Sequence, residues 1–365
     1  VTNPLVAALA DYPWDALSAA KQRAAEHPDG IVDLSIGTPV DDTPAPAQQA
    51  LAAAGNSPGY PTVVGPPQLR EAIAGFFARR QVTVAPTACL PTIGSKEFVA
   101  WLPTQLGLGP DDLVVIPTAA YPTYRVGGTI AGCRVVAADD PAELGTQRPS
   151  LIWLNSPSNP TGRILGPDAL RAWVDWARER GAIIASDECY LDFAWEAPAV
   201  SVLTPEVSGG DHTGLLAVHS LSKIANLAGY RAGFVAGDPQ LVADLTLIRR
   251  HSGMIISRPV QQAMIALLGT DDHVAAQRDR YRRRRELLRP ALEKAGFSID
   301  HSDGSLYLWA TQGTDCWQAV DRLAEVGILV GPGAFYGAGC GDHVRVALTG
   351  TDERIAAATE RLADA

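Results

Sequence analysis

The 365-residue sequence predicts an α/β fold, and three observations carry that expectation. Six short apolar runs recur in the middle of the chain with helical stretches between them, the pattern of strands buried on both faces of a mostly parallel sheet. After about residue 260 the pattern changes to a long helical stretch followed by short strands, which fits a smaller α+β unit. The length allows roughly two domains.

Taken in order, the residues before about 40 hold Ala-rich helical segments and one strand candidate, Ile31–Ser35. The six apolar runs are Leu113–Ile116, Arg134–Ala137, Leu151–Leu154, Ala182–Ala185, Leu215–Val218 and Gly233–Ala236. The clearest helix spans 168–179, with Pro167-Asp168 as its start signal and Gly181 as its stop. Helical periodicity returns from 259 to 294, with a break expected near Gly269-Thr270. Strands are expected at Leu306–Trp309, Ile328–Val330 and His343–Leu348, and a last helix from Asp352 to Leu362. The expected division is an N-terminal arm with part of the small domain (1–40), a large domain (41–255) and a small C-terminal domain (256–365).

Composition excludes several classes of function. Hydrophobic residues make up 47% and charged residues 19%, as in ordinary globular chains. No run approaches the roughly 20 apolar residues needed to span a bilayer. A formal net charge of −10 disfavours nucleic acid as a partner. The one basic run, Arg278–Arg285, reads as the solvated face of a long helix. Five scattered cysteines with no Cys-x-x-Cys pair argue for reduced thiols, against a disulfide framework and against a zinc site. The N-terminus lacks the basic region of a secretory signal. The expectation is a cytoplasmic protein with no metal and no membrane partner.

The chemistry concentrates around Ser220-Leu-Ser-Lys223 and Arg231 in Ala228-Gly-Tyr-Arg-Ala-Gly233. A lysine between two hydroxyls, at the polar end of a buried strand, is followed by an arginine in a glycine-rich turn. Asn159 lies in Asn155-Ser-Pro-Ser-Asn-Pro-Thr-Gly162, and Asp187 in Ser186-Asp-Glu-Cys-Tyr190. Both follow strand candidates, and open α/β sheets bind ligands at those carboxyl ends. Gly94-Ser95-Lys96 opens a helix whose free N–H groups can hold a phosphate. Alone, each signal is as readily a turn or a helix cap. Together they suit a lysine that forms a Schiff base with a phosphorylated aldehyde, pyridoxal phosphate.

These motifs, with Leu34-Ser-Ile-Gly37-Thr-Pro39, Gly59-Tyr60-Pro-Thr-Val-Val-Gly65, Ala120-Tyr121-Pro-Thr-Tyr124 and Val344-Arg345-Val-Ala347, resemble the class I/II aminotransferases across nearly the whole chain. These are pyridoxal-phosphate enzymes of fold type I. The resemblance implies a large domain with a seven-stranded, mostly parallel sheet. It implies that Lys223 carries the cofactor and moves the proton, Asp187 pairs with the ring nitrogen, and Asn159 and Tyr190 bind the ring oxygen. Tyr121 stacks on the ring. Gly94, Ser95, Lys96, Ser220 and Arg231 hold the phosphate, and Ser222 is either a further phosphate ligand or a turn hydroxyl. Tyr60 reaches the phosphate of a neighbouring subunit, so the chain is expected to form a homodimer with shared sites. Arg345 clamps the substrate α-carboxylate, which Gly37 lets approach the backbone. The partners are glutamate as amino donor and a keto acid as acceptor.

Members acting on aspartate carry a second, distal arginine. Gly253 stands where it would be; Arg249, Arg250 and Arg258 lie nearby as candidate replacements, with Arg258 nominated first. Asp33–Val40, Ala100–Pro103, Gly210–Lys223 and Ser305–Ala310 resemble more narrowly the actinobacterial succinyldiaminopimelate transaminases, which implies a place in lysine and diaminopimelate biosynthesis. Lys223 and Asp187 alone leave open which bond at the substrate Cα breaks, so a lyase shares the same core residues.

Overall fold

The computed structural model describes residues 3–9 and 12–363. Its strands, in chain order, are β1 (Val32–Asp33), β2 (Cys89–Ile93), β3 (Leu113–Ile116), β4 (Arg134–Ala137), β5 (Leu151–Asn155), β6 (Ile183–Asp187), β7 (Leu215–Ser220), β8 (Ala232–Gly237), β9 (Ser298–Asp300), β10 (Tyr307–Thr311), β11 (Ile328–Leu329), β12 (Gly331–Pro332) and β13 (His343–Ala347).

Seven of these form one sheet in the order β2-β8-β7-β6-β5-β3-β4. The run from β4 to β7 is parallel. β8 is antiparallel to both neighbours. Because β3 leads to β4 on one side and to β5 on the other, strand order reverses beside β5, which creates a crevice at the carboxyl ends. Alternation along the strands feeds two cores. Ile152 and Leu154 face one layer of helices, while Leu151 and Trp153 face the other.

A second sheet, β12-β13-β10-β9, is antiparallel throughout. β1 pairs in parallel with β11, so the segment before residue 40 is tied to the C-terminal part of the chain. The Leu34 carbonyl also accepts from the Ala347 amide at 2.9 Å. That tie places Ser35–Thr38 over the crevice.

The expected helix at 168–179 spans Pro167–Arg180, with Gly181 as a left-handed C-cap at φ 69°. The expected break near Gly269-Thr270 separates the helices Arg258–Leu268 and Asp272–Lys294. Three strands lie outside the sequence expectation: β2, β9 and β12, the last a two-residue strand just past the expected run at 328–330. β2 carries Pro91, which reads as a strand breaker, but β2 is a sheet edge where a missing N–H costs no ladder bond. β9 is short and half exposed.

The basic run needs correction. Arg284 is 2% exposed and not part of a solvated face. Its guanidinium donates to Asp41 at 2.6 and 2.9 Å and to Asp352 at 2.7 Å. Arg285 pairs with Glu196 and with Ser302. The long helix therefore uses part of its charge to bind neighbouring segments. The five cysteines are free thiols. Among the described residues no helix is long and apolar enough to cross a membrane.

Candidate active site

A cleft of about 400 Å³ opens at the carboxyl ends of β5, β6 and β7, under the segment Ile36–Thr38. Every site residue expected from the sequence lines it except Gly94, Tyr60 and Arg258. Gly94 lies just behind the wall, against Arg231. Tyr60 is 100% exposed, and Arg258 lines a separate hollow with Ser57, Gly59 and Gln262. The chain does not bring those two into its own cleft, although it sets Arg258 beside the Tyr60 loop.

Lys223 is delivered by the turn after β7. The Ser220 hydroxyl accepts from the Ser222 amide at 3.1 Å and caps the short helix Leu221–Ile224. The Lys223 ammonium nitrogen donates to the Gly37 carbonyl. Burial pushes the Lys223 amine below the ordinary lysine range, Tyr307 works against that shift, and Arg345 adds to it. A neutral amine is the nucleophilic form.

Asp187 ends β6, paired in register with Asn155 on β5. Its carboxylate accepts from the Tyr124 hydroxyl at 2.9 Å and from the Cys189 amide at 3.2 Å. Tyr124 is aimed there by stacking on Trp153, with centroids 5.0 Å apart and planes 21° from parallel. Burial raises the Asp187 carboxyl above the usual range, and the bonds from Cys189 and Tyr124 only partly offset this. Neither bonding partner is a cation, and a buried carboxylate is stable as a charge only when paired. The protonated ring nitrogen of a bound pyridoxal phosphate would be such a partner. The adjacent Glu188 points the other way, 3.1 Å from His219, with its second oxygen on the Val202 amide.

At the opposite end, the helix Gly94–Gln105 starts beside Ser95, Ser220, Ser222 and Arg231. Gly94 has φ +67°, and a Cβ there would overlap the Arg231 guanidinium. Only glycine lets that cation lie against the helix start. Ser220 and Ser222 share a 2.8 Å hydrogen bond. Hydroxyls, a guanidinium and a helix N-terminus together form an anion cradle. Thus the two ends of the cleft fit the two ends of pyridoxal phosphate, with Lys223 between them. Tyr121 lines the same wall, edge-on to Tyr124.

Arg345 on β13 is 3% exposed and faces the cleft. It donates to the Asn159 side-chain carbonyl and to the Ser35 carbonyl, both at 2.8 Å. Among the described residues its Nε has no hydrogen-bond partner. Each terminal nitrogen carries a second hydrogen, so the fork keeps donors for a carboxylate. A Cβ on Gly37 would overlap the Tyr307 hydroxyl, so this glycine admits a ring as well as a ligand.

Sequence reasoning missed Tyr12, Trp14, Tyr307 and the carbonyl of Ser35. Tyr307 sits in an apolar strand pattern, and nothing in that pattern separates a site hydroxyl from a core ring. Tyr124 stood within a quoted motif but received no role.

The sequence profile described as "Aminotransferase class I and II" matches residues 29–362. A probable aminotransferase of Mycobacterium tuberculosis is 58% identical, covering 98% of this chain and 86% of its own. The 4-dedimethylamino-4-oxo-anhydrotetracycline transaminase OxyQ of Streptomyces rimosus is 55% identical, covering 97% of this chain and 99% of its own. The structure described as a probable N-succinyldiaminopimelate aminotransferase from Thermus thermophilus superposes with a TM-score of 0.86 at 29% identity, covering 97% of this chain and 100% of that one. Profile, relatives and fold agree: this chain belongs to the class I and II aminotransferases, a family that depends on pyridoxal phosphate.

Proposed function

We propose that this aminotransferase moves an amino group from glutamate to N-succinyl-2-amino-6-oxopimelate, a step of lysine and diaminopimelate biosynthesis. The observation that carries the proposal is Arg345, buried in the cleft with hydrogens left over for a carboxylate. Both donor and acceptor present an α-carboxylate, so one clamp serves both half-reactions. Gly253 offers no side chain where the distal arginine of aspartate-specific members would stand, which fits an enzyme not dedicated to aspartate. The shared fold with the Thermus thermophilus protein supports the same acceptor class.

When bound, pyridoxal phosphate supplies an electron sink for the bond broken at the substrate Cα. Asp187 holds the proton of the ring nitrogen. Tyr190 and the amide NH2 of Asn159, whose carbonyl is occupied by Arg345, donate to the ring oxygen. Lys223, whose amine burial shifts below the ordinary lysine range, would take the Cα proton and return it on the cofactor side. Ser95, Ser220, Ser222 and Arg231 hold the phosphate. Tyr12, Trp14 and Tyr121 add aromatic surface to the cleft lining, with Tyr121 placed to stack on the ring.

The same reading makes the chain half of a homodimer. Tyr60 is fully exposed and Arg258 lies beside its loop, which suits residues that complete a partner's cleft. Trp101, Tyr230 and Leu247 are exposed apolar side chains that such an interface would cover.

A second reading rests on the 55% identity to OxyQ, whose name gives a tetracycline-type ketone as acceptor. One preparation separates the two. The purified enzyme, sedimenting at twice the chain mass, is loaded with glutamate and offered each acceptor. Turnover of the succinylated keto acid, with little of the tetracycline ketone or of the unsuccinylated compound, is expected. The reverse order of rates overturns the first reading in favour of the second.

A further inference from the structure

Two buried tyrosines meet above the floor of the cleft. The Tyr190 and Tyr307 hydroxyls lie 3.2 Å apart, with ring centroids separated by 5.7 Å at 75°. Tyr307 is also the ring beneath the clamp: the Arg345 guanidinium carbon sits 4.0 Å from its centroid and 4.9 Å from that of Tyr336. The sheet register explains the contact. Arg345 on β13 is directly opposite Trp309 on β10, and Tyr307 is the diagonal neighbour on the same face. All three rings and the arginine are buried.

We infer that Tyr307 is a positioning residue that links the cofactor end of the site to the carboxylate clamp. Its ring fixes the plane of the Arg345 guanidinium, and its hydroxyl donates to the Tyr190 oxygen. Tyr190 is thereby turned to spend its own proton on the cofactor's ring oxygen. The inference rests on the placement of Tyr190 at that oxygen proposed above.

The electrostatics agree with this direction of donation. Burial opposes ionisation of Tyr307, yet Arg345 and Lys223 outweigh it and hold its phenol below the usual range. Burial and the neighbouring Tyr307 push Tyr190 well above it. The Arg345 cation, 4.0 Å from the Tyr307 ring centroid, draws charge from that phenol and favours it as the donor of the pair. A donor whose oxygen accepts a hydrogen bond becomes a stronger donor itself. Tyr307 thus strengthens the bond from Tyr190 without touching the cofactor.

The test reads the pH midpoint of the visible absorbance of the bound cofactor in the holoenzyme. A hydrogen bond to the ring oxygen favours its charged, unprotonated form. Weakening that bond therefore raises the midpoint. Tyr307→Phe is expected to raise it by roughly 0.5 to 1 unit, the scale of one neutral hydrogen bond. Tyr190→Phe is expected to raise it at least as far, and the double variant no further than Tyr190→Phe alone. Tyr307→Leu, which also removes the ring under Arg345, is expected to raise KM for both amino donor and keto acid by roughly 3- to 30-fold. A core residue with no such link would change thermal stability and leave the midpoint alone. An unmoved midpoint in Tyr307→Phe, with a shift in Tyr190→Phe, overturns the inference and leaves the site assignment standing. No shift in Tyr190→Phe overturns the assignment itself. Should the leucine variant fail to fold, the phenylalanine variant decides alone.

Discussion

At the scale of single residues, the site depends on charges held where water cannot stabilise them. Lys223 is the clearest case. Burial disfavours its ammonium, Tyr307 favours it, and Arg345 disfavours it again, with a net shift downward from 10.5. The sign is simple: a lowered value means that the neutral, nucleophilic amine appears at lower pH than for a free lysine. Cofactor uptake by the cofactor-free protein should accelerate with rising pH and level off clearly below pH 10.5. Stopped-flow absorbance measures this, and a half-maximal rate at the ordinary lysine value would contradict it. Lys223, Asp187, Asn159 and Arg345 were legible only as an ordered set: each alone reads as a turn, a cap or a surface residue, and their joint order along the chain carries the resemblance. Tyr307 and Tyr124 were not, because an aromatic hydroxyl inside an apolar strand or helix reads as core. Ser35 was invisible for a different reason: it contributes a carbonyl, which every residue has.

At the scale of elements, the parallel strands were legible because burial on both faces leaves short continuous apolar runs. β2 was obscured by Pro91, harmless only because the strand is an edge. The antiparallel setting of β8 could not be read from its own residues, since direction is decided by the connection. The helix Asp272–Lys294 shows the same limit for charge. Arg284 looks like its exposed neighbours in sequence, yet it joins Asp41 to Asp352. Burial opposes the Asp41 charge, but the bonds from Arg284 and Gln277 and the Arg284 charge outweigh it and lower its pKa. Arg284→Ala should destabilise the protein at neutral pH, by less than the roughly 3–5 kcal/mol of a fully buried pair, because it strands a half-buried carboxylate. The lowered Asp41 value means that its contribution is present above the ordinary 3.8 and is lost as pH falls through the folded value. Chemical denaturation across pH 3 to 7 (a range set by that value) should show the difference between wild type and variant shrinking at the acid end. A constant difference would argue against the ion pair.

At the scale of the whole molecule, the site is assembled from distant pieces. Ser35 and Gly37 arrive on the segment tied by β1 to β11, Lys223 and Asp187 on the seven-stranded sheet, and Arg345 and Tyr307 on the antiparallel sheet. Local patterns indicated the pieces, and the ordered set of motifs indicated how they combine. The acceptor's distal end left no comparable trace, because the motifs that carry the resemblance belong to the cofactor and the α-carboxylate, which acceptors of every kind share. The chemistry proposed for Lys223 and Arg345 is an amino transfer in two separate halves. Its most direct test is to add glutamate alone to the holoenzyme and follow the cofactor spectrum. The prediction is one equivalent of 2-oxoglutarate per site, a stable change of the absorbance band, and recovery of the original band only when a keto acid is added, with Lys223→Ala inert. Release of ammonia, or a band that recovers with no acceptor present, would contradict it.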